Sequence, residues 1–298
     1  MALFPAMIRS MTPLLLTALG GMISERSGVV NIALEGMILF GALTGAVVAH
    51  QLEQPFLAVD PNAVVPWIPW VALLAAGVVG GLVAALHGLV CLFYRADQIV
   101  SGTAINLLAL SVPSLILQVL YGNSTSSEGV RNRLPLWWGY SPLVYLAVAL
   151  VPVAWWFLFR SVWGLRLRAV GEYPQAADSA GIPVVKVRLA AVVASGVLAG
   201  LAGAFLSIGF LNQFVRGMSA GKGFIALAAM IFGQWHPVGI FGATLLFGLA
   251  DAWAVQLEGQ GIMPAVVTQA IPFVLTMLVL AGILRRARPP AALGKAWD

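Results

Sequence analysis

Ile68-Pro-Trp-Val-Ala-Leu-Leu-Ala-Ala-Gly-Val-Val-Gly-Gly-Leu-Val-Ala-Ala-Leu-His-Gly-Leu-Val-Cys-Leu-Phe-Tyr94 runs from position 68 to 94 without an Asp, Glu, Lys or Arg. A helix that crosses the hydrocarbon core of a bilayer needs roughly 20 consecutive apolar residues, and this stretch supplies more. Ala76, Gly80, Ala84 and Gly88 recur at every fourth position. Such a stripe of small residues lets helix backbones approach closely in lipid, where hydrophobicity gives helices no reason to associate. The stretch therefore reads as one transmembrane helix of a packed bundle.

Working outward, the same pattern fills the chain. Of 298 residues, 60% are hydrophobic and 9% charged, against about 25% charged in a soluble domain, and mean hydropathy is +0.95. These values exclude an autonomous cytosolic enzyme, a disulfide-built secreted domain and a disordered tail. They predict an all-α polytopic bundle forming a single transmembrane domain over 1–298. Apolar segments fall at 8–24, 28–50, 68–94, 99–121, 141–160, 188–211, 224–236, 238–257 and 265–284, about nine spans, of which the seventh is short enough to be a half-helix. The first runs straight into Ser24-Glu25-Arg26 without a signal-peptidase site. Ser195, Ala199, Gly203 and Ser207, beside Gly196 and Gly200, repeat the small-residue stripe on the sixth span.

Placing Arg285, Arg286, Arg288 and Lys295 in the cytoplasm puts Arg26, Arg95, Arg160, Arg166, Arg168, Lys186 and Arg188 there too. Arg9, Arg131, Arg133, Arg216 and Lys222 then lie outside. This is the bias of the positive-inside rule, and it predicts a multi-pass membrane protein with its C-terminus in the cytoplasm. Trp67, Trp70, Trp137, Trp138 and Trp163 sit near the proposed span ends, as an aromatic belt requires. The net charge of +5 reads as loop orientation, with no nucleic-acid partner implied. The single cysteine, Cys91, reads as a small core hydrophobe.

Few groups in the spans can do chemistry. Three scattered His and one Cys make no metal cluster. Gly221-Lys222-Gly223 resembles the end of a phosphate loop but has Gly where Ser or Thr holds magnesium, so no nucleotide engine is expected here. Asn31, Glu35 and Asn106 are the candidates for the solute pathway. Glu35 reads equally as a structural carboxylate paired with Arg26 or backbone. His87 and Asp251 read as satisfied interior groups. Internal symmetry is hinted at by Gly28-Val-Val-Asn-Ile-Ala-Leu34 and Gly223-Phe-Ile-Ala-Leu227, which cross in opposite senses, as an inverted repeat does.

The segment 161–187 is too polar to span. Pro174 suits a first helical turn, Gly181 the position past the end, and Pro183 forbids continuation. One short surface helix with a small face at Ala176, Ala177 and Ala180 is expected. Gln175-Ala-Ala-Asp-Ser-Ala-Gly181 resembles the cytoplasmic coupling motif of ABC importer permeases, with Gln175 in place of the usual leading Glu. Gly171-Glu-Tyr-Pro-Gln-Ala-Ala-Asp-Ser-Ala-Gly-Ile182 and Ser195-Gly-Val-Leu-Ala-Gly200 resemble the ribose and branched-chain amino acid type. Glu25-Arg-Ser-Gly-Val-Val-Asn-Ile-Ala-Leu-Glu-Gly-Met37, Ser101-Gly-Thr-Ala-Ile-Asn106 and Gly221-Lys-Gly-Phe-Ile-Ala226 are similar to its nucleoside and simple-sugar subgroup.

The resemblance implies a permease subunit that is not itself an enzyme and carries no cofactor. ATP would be bound by a partner ATPase docking on 172–183, with Glu172, Gln175, Ala176, Ala177, Asp178 and Gly181 as coupling residues. A second permease subunit, paralogous or identical, would complete the pathway in the lipid bilayer, and an extracytoplasmic solute-binding protein would deliver a small neutral solute. The alternative is an ion-coupled secondary transporter, for which only Glu35, His87 and Asp251 are available as a relay.

Overall fold

The computed structural model describes residues 3–259, 267, 270, 271, 274, 277 and 288–295. Its helices are α1 (Leu3–Arg26), α2 (Leu34–Leu57), α3 (Ile68–Leu92), α4 (Gln98–Tyr121), α5 (Pro142–Arg160), α6 (Val162–Glu172), α7 (Pro174–Ser179), α8 (Val184–Ala204), α9 (Lys222–Phe232) and α10 (Pro237–Gly259). Seven of them are long and apolar enough to cross a membrane, α8 being extended to Phe210 by a π-helical turn. The chain is thus a polytopic helical membrane protein. The ninth expected span, 265–284, lies outside the described residues except at 267, 270, 271, 274 and 277, which are helical.

The stripes read from the sequence meet. A methyl group added to Gly200 would press on the Ala76 carbonyl, 3.1 Å from its carbon, and one added to Gly80 would lie 2.8 Å from the Gly200 Cα. On its other side α8 touches α2, where a methyl on Gly203 would sit 2.6 Å from the Ala42 nitrogen. Helix α8 is therefore clamped between α2 and α3 at backbone contact, the geometry small residues permit in lipid. Helix α1 packs along α8 and α10, and its buried Leu14, Leu15, Leu16 and Leu19 fill the main core.

Two crossings are broken. Residues 27–33 leave the helix, so α2 begins six residues later than the expected span at 28 and runs on through Glu53, which the sequence reading had placed in a loop. Residues 211–221 are also non-helical, and α9 has 11 residues, about 16 Å at 1.5 Å per residue, too short to cross. It is the half-helix expected for the seventh segment.

The chain ends fix two faces. Trp235, just past α9, lies against Glu25 and Arg26 at the end of α1, near α6 and α7; we refer to this as the hairpin face. On the far face the polar 122–140 segment zips onto 208–216: Ser127 N donates to Phe214 O (3.0 Å), Val130 N to Asn212 O (2.6 Å) and Leu134 N to Ile208 O (3.1 Å). The buried Glu53 carboxylate anchors it by accepting from Arg131 N and Asn132 N at 3.1 and 3.0 Å.

Gly242 faces open space, with nothing within 4 Å of an added methyl. Gly200→Ala is expected to lower stability by about 1–3 kcal/mol through overpacking. Gly242→Ala is expected to leave it unchanged or raise it by up to about 1 kcal/mol, as glycine is a poor helix former. Thermal unfolding in detergent checks both signs.

Candidate functional site

Inside an apolar slab, backbone N–H and C=O groups that leave a helix need partners within the protein. The break at 27–33 finds them on three neighbouring helices. Val30 N donates to Gln98 Oε1 (2.7 Å), and Val30 O lies 3.1 Å from His87 Nε2. Asn106 Nδ2 donates to Ile32 O (2.9 Å), while Asn106 Oδ1 accepts from Gly36 N (2.8 Å). Asn31 is fully buried and donates through Nδ2 to Ser195 Oγ (2.9 Å). Ser195 lies 11 residues along α8 from Val184, about 16 Å from that end, so the break climbs to mid-depth before α2 starts.

Glu35, in the first turn of α2, is buried and meets the second break there. Its Oε1 accepts from Ser219 Oγ (2.6 Å) and Gly221 N (2.9 Å), and its Oε2 from Gly223 N (2.6 Å). The carboxylate caps α9, satisfying amides that have no intrahelical partner and placing negative charge at the positive end of the helix dipole. Gly221 has φ +77°, and a methyl on Gly223 would lie 2.5 Å from the Glu35 Cα, so both positions need glycine. Beside this junction Lys222 Nζ pairs with Asp251 Oδ1 at 3.6 Å.

The two segments with an internal echo thus start the 24-residue α2 and the half-helix α9, whose first turns meet at mid-depth. Helix α2 runs to the far face and α9 to the hairpin face. Asn31, Glu35 and Asn106 come together around this junction, with side-chain bonds to backbone and to Ser195 and Ser219. Arg26 is not the partner of Glu35: its Nε and Nη2 donate to Trp235 O at 3.0 and 2.9 Å, and Glu25 Oε2 accepts from Trp235 Nε1 at 2.7 Å. His87 Nδ1 lies 2.9 Å from Ser101 Oγ, so with Val30 both ring nitrogens are engaged.

At the hairpin face the expected short helix is α7. Pro174 sits in its first turn, Gly181 follows it at φ +76°, and Ile182 N donates to Ala177 O (3.0 Å). Ala177 is buried with Val170 and Val184, whereas Gln175, Ala176, Asp178 and Gly181 are exposed. The methyl of Ala177 therefore seats α7 on the bundle, and its exposed neighbours form the outer face. A second helix, α6, was not anticipated. Ser161 caps it through Gly164 N (2.9 Å), a start signal obscured by the Arg-rich run that follows.

The 288–295 segment also escaped the sequence reading. Ala292 N donates to Gly171 O (2.9 Å), Gly294 N to Gly28 O (3.1 Å), and Ala291 N to Glu172 Oε2 (3.2 Å). The fully buried Arg188 donates through Nη1 to Lys295 O (3.2 Å) and through Nε to Ser27 O (3.1 Å). This strap ties the end of α6 to the start of the first break and to α8.

Residues 4–280 match the family described as the permease component of branched-chain amino acid transport systems. The chain is 39% identical to the guanosine ABC transporter permease protein NupQ of Bacillus subtilis, over 97% of this chain and 94% of that one. It is 37% identical to the nucleoside ABC transporter permease protein NupC of Lactococcus lactis, over 95% and 92%. It is 38% identical to a putative glucose ABC transporter permease protein, TsgC13, of Haloferax volcanii, over 87% and 78%. No solved structure matches the chain.

Removing the Glu35 carboxylate strands a buried hydroxyl and two amides. Glu35→Ala is expected to cost about 3 kcal/mol or more, at about 1–3 kcal/mol for each unsatisfied group. Glu35→Gln, which keeps an acceptor oxygen, is expected to cost less than half of that. Chemical denaturation of the detergent-solubilised protein measures the order.

Proposed function

The chain belongs to the family of permease components of branched-chain amino acid transport systems, and from that premise we propose that it forms one half of the pathway by which an ABC importer takes up nucleosides. The observation that carries the substrate class is the near full-length identity of 39% and 37% to guanosine and nucleoside permeases. The glucose relative supports simple sugars as the second class. Both are neutral and rich in hydroxyls.

In this reading the hairpin face is cytoplasmic, as is the 288–295 segment, and the zipped 122–140 loop faces the outside of a bacterial inner membrane. A separate ATPase binds and hydrolyses ATP and docks on the exposed side of α7, through Gln175, Ala176, Asp178 and Gly181. Ala177 holds α7 against Val170 and Val184, so a push on α7 reaches α6 and α8 as a rigid displacement. The strap carries the same displacement to Gly28 and the first break. A second permease subunit completes the pathway, and an extracytoplasmic binding protein delivers the solute. Transport follows because ATPase closure makes different contacts with α7 in the two states of the bundle. An ion-coupled mechanism is disfavoured by the engagement of Glu35, His87 and Asp251 in structural bonds.

Co-expression with the ATPase and binding protein encoded alongside it, followed by reconstitution, is expected to give guanosine uptake that requires ATP. Uptake driven by an ion gradient without ATP overturns the reading. Ala176→Arg, on the exposed side of α7, is expected to reduce uptake at least about tenfold, a loss of about 1.4 kcal/mol of coupling. Its thermal stability is expected to stay within about 0.5 kcal/mol of the parent, as for other surface changes.

A further inference from the structure

Helix α4 is the least buried of the long helices, and its exposed surface differs from that of its neighbours. The sequences of α3 and α5 contain no Ser, Thr, Asn or Gln. Their outward residues, such as Leu74, Val78 and Leu82 on α3 and Leu146, Val153 and Trp156 on α5, are apolar or aromatic, as a lipid-facing surface requires. Helix α4 carries Thr103, Ser111, Ser114 and Gln118. At about 100° per residue, these four fall within an arc of about 80°. The exposed Val100 and Leu107 share this arc, and the rest of the outward surface, Leu108, Leu115, Ile116 and Val119, is apolar and 36–84% exposed.

A helix with polar and apolar sides inside a membrane borders two solvents. The apolar side of α4 suits lipid. Polar groups recur along this side, with the exposed Leu107 between the first two: Thr103, its hydroxyl donating to Ile99 O and Val100 O, is in the second turn, Ser111 and Ser114 lie at the middle, and Gln118 is in the last turn. Thr103, Ser111 and Gln118 are exposed. The Ser114 hydroxyl is shielded yet finds no hydrogen-bond partner among the described residues. On its inner flank α4 holds the mid-depth junction through Asn106, which bonds Ile32 O and Gly36 N. The polar side thus borders the place where both broken crossings meet.

We propose that Thr103, Ser111, Ser114 and Gln118 of α4 line the translocation pathway and pass a neutral, hydroxyl-bearing solute from one hydrogen-bonding group to the next. The inference rests on the reading of the chain as a pathway-forming permease, and it adds solute contacts beyond Asn31, Glu35 and Asn106: Glu35 and Asn106 are bonded to backbone, whereas the buried Asn31 Oδ1, like the Ser114 hydroxyl, finds no partner among the described residues. Uncharged donors and acceptors spaced about one or two turns apart offer a hydroxylated solute several equivalent exchanges of partner. None of them carries a charge that would trap it.

Water access tests this without knowledge of the solute. Cys91 is the only cysteine and is buried, so Cys91→Ala gives a cysteine-free parent. Single cysteines are placed at Ser111, Ser114 and Gln118, and at Leu108, Leu115 and Val119, in the assembled transporter in membrane vesicles. They are then treated with a charged, water-soluble methanethiosulfonate reagent. Only a hydrated thiol ionises and reacts, so the first set is expected to label at least about tenfold faster than the second. Equal labelling of both sets overturns the proposal. So does an unreactive polar set that forms disulfide cross-links to the second permease subunit, because the side is then a dry packing seam. Where a variant does not assemble, Leu107→Cys, in the centre of the same arc, replaces it. Guanosine uptake measured on the parent reports separately on the substrate assignment, so loss of that assignment leaves the labelling result intact.

Discussion

Everything distinctive in this bundle depends on one carboxylate. A chain that leaves the helix inside an apolar slab must satisfy its own backbone, and it does so twice here at the same depth. The Glu35 oxygens take the amides of Gly221 and Gly223 and the hydroxyl of Ser219, so the second break is finished by the helix that follows the first. Without this arrangement, the starts of α2 and α9 would face each other across unsatisfied donors. With it, they form a rigid point from which α2 and α9 leave in opposite directions.

The glycine contacts add a second constraint. With its backbone against both α2 and α3, α8 has no side-chain layer through which to slide, and the three helices form a slab. The hairpin of α6 and α7 is seated on one end of that slab by Ala177, Val170 and Val184, and the strap joins it to Gly28. Helices α4 and α5 are less deeply held. The bundle is therefore divided into a stiff part, on which the hairpin of α6 and α7 is seated, and a looser part formed by α4 and α5.

Hydropathy made most of this architecture legible, since a span is long and apolar enough to recognise from a window. The small-residue stripes on the third and sixth spans pointed to close helix contact, and Pro174 and Gly181 bounded α7. The break at 27–33 was hidden because Val29, Val30 and Ile32 are as apolar as a helix interior, and nothing local says that the Val30 and Ile32 carbonyls are bonded from α3 and α4. The partners of Glu35 lie more than 180 positions away, which led the sequence reading to the nearer Arg26. The family-like motifs drew attention to Asn31, Glu35 and Asn106; in the structure Glu35 and Asn106 bond backbone groups, while Asn31 bonds Ser195 Oγ and its Oδ1 has no partner among the described residues. The polar side of α4 emerges only when exposure is set beside helical phase.

The strap has a consequence in time. Residues 290–295 leave the ribosome after everything they fasten. Until they arrive, Arg188 lacks the Lys295 carbonyl and the Gly28 carbonyl lacks the Gly294 amide, and the hairpin of α6 and α7 is held by its packing on α5, on α8 and, at Gly171, on the end of α1. The strap's own hydrogen bonds to that hairpin and to the first break therefore form after the segments that they join have been synthesised. The close contact of Gly171 with Arg26 and Gly28 is the part of that joint already available before the strap adds its bonds.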